Sequence, residues 1–190
     1  VLLVSLRGIA AFYTDKLWFE SLGLGTVWST ALGTRISLAL LGAGVFFSLC
    51  WANMVIAERF APMFRPVAPA DDLIERYHDL VGHRAALVRL GLAVFLAVLF
   101  GASLGASWNE WLLFRNRVDF GETDATFGVD IGFYVFQLPF ITAALSWLFS
   151  VLVVVLFTTL LVHVVNGGIR FHTQLERTTP QVKAHVSVLL

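Results

Sequence analysis

The chain has 190 residues, 58% of them hydrophobic and only 14% charged. A soluble domain carries about 25% charged residues, so this composition excludes an ordinary water-facing surface and places much of it in lipid, in line with a mean hydropathy of +0.80. The 13 basic and 13 acidic residues cancel; no stretch is basic enough to bind nucleic acid, and the single cysteine, Cys50, excludes an internal disulfide and reads as a small packed hydrophobe.

A helix needs about 20 apolar residues to cross a hydrocarbon core of about 30 Å. Residues 1–13 read as the remainder of a first span, too short alone and carrying Arg7. A cleaved signal peptide is the rival reading, but no small-residue cleavage site precedes the charged stretch Tyr13–Lys16. Residues 36–57 form a clean second span between Arg35 and the pair Glu58-Arg59. A loop over 58–87 follows. Its prolines Pro66 and Pro69 break the chain, Asp72 with Glu75 can cap a helix, and Leu73, Ile74, Tyr77, Leu80 and Val81 recur at helical spacing. This short amphipathic helix lies on the membrane surface or packs against the ends of the bundle. Residues 88–109 are a third span, 110–138 an outer loop, and 139–165 a fourth span that starts at Pro139 and stops at Asn166-Gly167-Gly168. After a tail over 166–184, His185–Leu190 begins a new apolar run that stops abruptly. With Val1 at the start, both ends read as cut, so the chain is expected to be a fragment. The fold class expected is all-α, a polytopic transmembrane bundle of about four spans and the start of a fifth.

Lysine and arginine mark the cytoplasmic side. The central loop and the tail hold Arg59, Arg65, Arg76, Arg84, Arg89, Arg170, Arg177 and Lys183, against Lys16, Arg35, Arg115 and Arg117 in the other connections. The first set is therefore expected in the cytoplasm with the N-terminus, the second outside. Trp18, Trp28, Trp108 and Trp111 fall at the outer edge of this arrangement, where tryptophan is favoured.

Small residues let helices approach closely where water supplies no driving force between them. Ala93, Ala97, Gly101 and Gly105 recur every four residues in the third span, and Gly44, Ser48 and Ala52 form a similar ladder in the second. Both ladders are expected to pack helices within one bundle, with a contact between subunits as the alternative. The outer loop carries Asp119, Glu122, Asp124 and Asp130, whose spacing does not match a calcium loop and reads as a solvated acidic segment. His78, His83, His163, His172 and His185 show no zinc spacing. No nucleophile elbow or phosphate loop is present, so no catalytic, cofactor or metal residue is assigned. The second, third and fourth spans contain no Asp, Glu, Lys or Arg, apart from Arg89 at the edge of the third. That weighs against ion-coupled transport within this stretch.

Several segments occur together in one bacterial family: Tyr13–Gly23, Thr34-Arg35, Phe127–Phe140, Gly167–Arg170 and His185–Leu190. In these the chain resembles, over essentially its whole length, uncharacterised protein family 0182 of large bacterial membrane proteins. The resemblance implies a protein several times longer, with about seven spans and a large extracytoplasmic region. It also implies a weak partner, the secreted PDZ-type protease often encoded beside actinobacterial members. It carries over no catalytic or ligand residue.

The most distinctive segment has its own physical reading. Phe127, Phe133, Tyr134, Phe136 and Phe140 are large and apolar or amphipathic, Gly128 and Gly132 permit tight turns, Asp130 lies between them, and Pro139 fixes the entry into the last span. The segment reads as a re-entrant or interfacial elbow that seats the outer loop on the bundle. The function expected is a non-enzymatic membrane anchor or scaffold for a large extracytoplasmic domain, with the lipid bilayer and a second copy of the chain in a homo-oligomer as its expected partners. The alternative is a transporter or channel component for a small or lipidic solute.

Overall fold

The computed structural model describes residues 2–60, 84–166, 169, 178 and 180–189. The amphipathic helix expected around Asp72–Val81, and most of the 166–184 tail, lie outside these residues. The described residues are helical with no β-strand, only the isolated bridges Thr123–Asp130 and Ile169–Thr178. The all-α expectation is therefore met.

Helix α1 spans Leu2–Ser21 and α2 spans Gly25–Arg59. The connection expected over residues 14–35 is thus almost entirely helix. Only Leu22–Leu24 turn the chain. Gly23 adopts a φ of +73°; the Leu24 amide donates to Phe19 O (2.9 Å) and the Gly23 amide to Glu20 O (3.0 Å). These two bonds are the glycine-dependent C-terminal cap that satisfies the last carbonyls of a helix. The charges of this connection interrupt the apolar run without interrupting the helix. Charge ends a membrane segment, not a helix.

At about 1.5 Å per residue, the 35 residues of α2 extend well past a core of about 30 Å. Helix α3 spans Ala85–Ala106 and runs antiparallel to α2. Gly105 faces Arg35 O, Gly101 faces Ala39 and Ala43, and Arg89 bridges to Glu58 at 2.7 Å. The backbone breaks at Ser107, and the short helix α4 (Trp108–Arg115) follows where the third span had been expected to continue. After the outer loop, a five-residue π-turn over Phe133–Gln137 leads without a gap into α5, Leu138–Val165. Pro139 lies in the first turn of α5, as expected, but it does not open the helical segment. Proline lacks an N–H and its ring collides with the carbonyl four residues back. The widened turn, in which the Leu138 amide donates to Phe133 O, accommodates it.

Three of these helices are long and apolar enough to cross a membrane: Gly25–Arg59, Ala85–Ala106 and Phe133–Val165. Helix α1, which contains the expected truncated first span at residues 1–13 and continues through Asp15, Lys16 and Glu20, is not among them. The run expected to begin a fifth span is the second half of a ten-residue helix, α6, Pro180–Leu189.

The core lies among α2, α3 and α5. Phe46 stacks on Phe100 at 4.5 Å, and the Trp147 indole on α5 donates to Phe100 O at 2.9 Å. Val151 and Val155 close the same cluster against Cys50 and Met54. On the outward faces Leu40 is 69% exposed and Phe149 70%. Such faces suit a hydrocarbon solvent and would be a liability in water. Arg35, Gly105, Trp111 and Phe140 gather at one end of the bundle, and Glu58, Arg89, His163 and His185 at the other.

Candidate functional site

The small-residue ladder of α3 is brought into contact. Ala93, Ala97, Gly101 and Gly105 are all buried. A Cβ on Gly101 would collide with Ala39 O and lie 2.8 Å from Ala43 Cβ; one on Gly105 would lie 2.8 Å from Arg35 O. The ladder of α2 is placed otherwise. Gly44, Ser48 and Ala52 are exposed, and a Cβ on Gly44 meets nothing within 4 Å. The α2 face that meets α3 and α5 is instead Leu38, Gly42, Phe46, Cys50 and Met54.

The outer loop closes on two carboxylates. Asp130 accepts from the amides of Phe120 (3.1 Å), Gly121 (2.9 Å) and Gly132 (2.6 Å). Asp124 accepts from the amides of Thr126 (3.2 Å) and Phe127 (2.8 Å) and from the Tyr134 hydroxyl (3.2 Å). The Phe127 amide, then that of Thr126, holds the Asp124 carboxyl below the usual carboxylate range. The Phe120 amide, with those of Gly132 and Gly121, does the same for Asp130. Backbone pairs from Asp124 N to Val129 O and from Ile131 N to Glu122 O complete the turn. Gly121 and Gly128 hold φ values of +74° and +66°, and a Cβ on Gly132 would collide with Val118 O. The oxygens of these two acids are thus engaged in holding the loop. Among the described residues no group of three or more His, Cys, Asp or Glu is placed to hold a metal.

The loop is seated by aromatic contacts. Phe120 stacks with Phe136 at 5.7 Å, and Phe140 packs against Trp111 at 5.0 Å and Phe114 at 5.4 Å. Phe133 meets Tyr134 edge-on. Phe127 is not part of this seat. It stands at the loop tip, 75% exposed.

The opposite end holds a feature that the sequence reading missed. His163 Nε2 on α5 lies 3.1 Å from His185 Nδ1 on α6, and His185 Nε2 lies 3.0 Å from Asn53 Oδ1 on α2. His163 is 1% exposed and His185 7%. Burial pushes the His185 imidazole below its ordinary pKa. Asn53 was the available signal. It is an amide inside an apolar span, where a polar side chain is costly unless partnered.

The family model described as "Uncharacterised protein family (UPF0182)" matches residues 1–190, and the chain belongs to that family. A UPF0182 protein of Nocardioides sp. is 38% identical over 194 residues, covering 100% of this chain and 19% of that protein. One of Frankia casuarinae is 36% identical over 193 residues, with the same coverages. One of Rhodococcus jostii is 41% identical over 165 residues, covering 83% of this chain and 16% of that protein. The chain therefore spans about 19% of the length of the first relatives it matches. No solved structure matches it.

Proposed function

We propose that this UPF0182 chain is a multi-pass membrane anchor that presents a stiff outer platform to the rest of a longer protein. The observation that supports this reading most is the outer loop. Asp124 and Asp130 together accept five backbone amides within a segment of fifteen residues, 118–132. A loop built to move would leave such groups to water. Below it, α2 and α3 meet at glycine-to-backbone distance, which suits a fixed packing rather than a sliding one. In this reading α2, α3 and α5 cross the plasma membrane with the basic loop and tail in the cytoplasm, and the N-terminus reaches the cytoplasm only with α1 crossing as well.

Purification of the full-length protein from native membranes in mild detergent tests the role. An anchor should bring down a stable homo-oligomer or a stoichiometric extracytoplasmic partner, a secreted PDZ-type protease being one candidate. A strictly monomeric protein without partners would refute it. A transporter or channel component is the second reading, favoured by the buried polar chain Asn53–His185–His163. Solute flux into liposomes that requires the intact protein would move the assignment there.

A further inference from the structure

The contact that holds α6 is small and mixes apolar with polar groups: Leu189 packs on the hydrophobic core beside the buried residues. Of its ten residues only Val182 and His185 are buried. His185 meets three partners: His163 on α5, Asn53 on α2, and the Phe60 ring edge-on at 5.9 Å.

The hydrogen positions follow from the acceptors. Asn53 Nδ2 donates to Leu49 O at 2.8 Å, so its Oδ1 faces His185 and must accept. His185 Nε2 therefore carries hydrogen. In the neutral ring its Nδ1 is then bare and accepts from His163 Nε2–H. The neutral chain runs one way, from His163 through His185 and Asn53 to Leu49 O, with a donor facing an acceptor at each link.

One added proton can be held between the two rings. His185 becomes a cation donating from both nitrogens, and His163 turns to its other tautomer and accepts. A second proton cannot be held. Both facing nitrogens would then carry hydrogen at 3.1 Å, and two cations would meet in a buried site. The surroundings offer no compensating acid among the described residues. On α2, Glu58 is engaged by Arg89 of α3 at 2.7 Å, and Arg59 is exposed. Arg84 before α3 and Lys183 on α6 are exposed, and α5 contributes only His163.

We propose that Asn53, His185 and His163 form a pH-sensitive latch, which holds α6 on the bundle while the two rings share at most one proton and releases it when both are protonated. The sign follows from the linkage. With α6 released, His185 stands in water and His163, two residues from the end of α5, loses its cover, so both rings can protonate toward the ordinary histidine value of about 6.5. Docking is at full strength above that value. As pH falls below it, the undocked state binds more protons than the docked one, so docking weakens. The difference is at least one proton, or about tenfold in the docking equilibrium per pH unit.

Hydrogen exchange of the full-length protein in nanodiscs, corrected for intrinsic rates, reads this at the amides of residues 182–189. Between pH 7.5 and 5.0 their protection should fall by about tenfold or more, while that of α3 is unchanged. In His185→Gln and His163→Gln, whichever variant is protected at pH 7.5 should keep its protection at pH 5.0. Loss of protection in both variants at pH 7.5, beside the wild-type fall, supports the latch as the contact that holds α6. A wild-type α6 indifferent to pH overturns the proposal, and so does an unchanged pH dependence in a protected variant.

Discussion

Replacing Gly101 by alanine should separate α3 from α2. The added Cβ would lie 2.8 Å from Ala43 Cβ and 3.0 Å from Ala43 N, with Ala39 O closer still. Carbon atoms pack at about 3.5–4.0 Å, so α3 has to retreat by roughly 0.7 Å or more at this point. A gap of that size forfeits about a quarter to a half of each dispersion contact along the seam. Neither partner is the free end of a flexible side chain; both are helix backbone and a Cβ, which cannot turn aside. Overpacking of this kind costs about 1–3 kcal/mol, and between apolar helices in lipid no hydrophobic term offsets it. Gly91 lies on the same helix, and a Cβ there meets nothing within 4 Å. Gly91→Ala controls for helix propensity, which favours alanine by about 1 kcal/mol. Detergent-titrated unfolding of the full-length protein in mixed micelles should place Gly101→Ala below wild type and Gly91→Ala at or above it. Equal stability of the two variants would refute a close glycine seam.

Two further predictions concern the outer loop. Asp130→Asn loses the charge and turns an N–H toward amides that need an acceptor, so exchange at Phe120, Gly121 and Gly132 should quicken by about an order of magnitude. In the wild type the same protection should hold above the ordinary carboxylate value of about 4 and be lost as pH falls through the depressed value of Asp130, and that of Thr126 and Phe127 likewise through the depressed value of Asp124. For orientation, a cysteine at Glu122 in a Cys50→Ala background should react with an impermeant maleimide on intact cells, and one at Arg84 should not. The reverse pattern would invert the assignment of sides.

The helical class and the three apolar helices were legible because hydropathy depends on residue type alone. Which stripe of a helix packs was not. In α2 the seam expected from sequence is Gly44-Ser48-Ala52, whose members are all small, but Leu38, Gly42 and Phe46 recur at the same four-residue spacing. The structure uses the second, in which Gly42 admits Leu104 of α3, and Phe46 and Met54 share a cluster with Ala93 and Ala97. A small residue on one helix is often matched by a large one on its neighbour, so smallness on one side alone does not identify a seam. Residues 14–21 continue α1 because charged side chains end an apolar run but leave helical hydrogen bonding intact. Gly128 marked a turn and Pro139 the first turn of the last helix, but the π-turn that reconciles Pro139 with a continuous helix has no signature in residue type.

The two polar ends of the bundle differ in how their groups are satisfied. Asp130 reaches its partners within ten residues and Asp124 within ten. That closure is local, and the segment contains everything it needs, including the glycines at its two positive-φ positions. His185 finds His163 twenty-two residues away and Asn53 at a separation of 132. That closure exists only when α2, α5 and α6 are already assembled. No spacing rule could have announced it, because the loop entropy of bringing such residues together is met by the packing of whole helices rather than by the contact itself. The same distinction separates their roles. A locally closed loop keeps its shape whatever the bundle does, which suits a platform. A contact closed across three helices reports on their assembly, and it is the one that a proton can open.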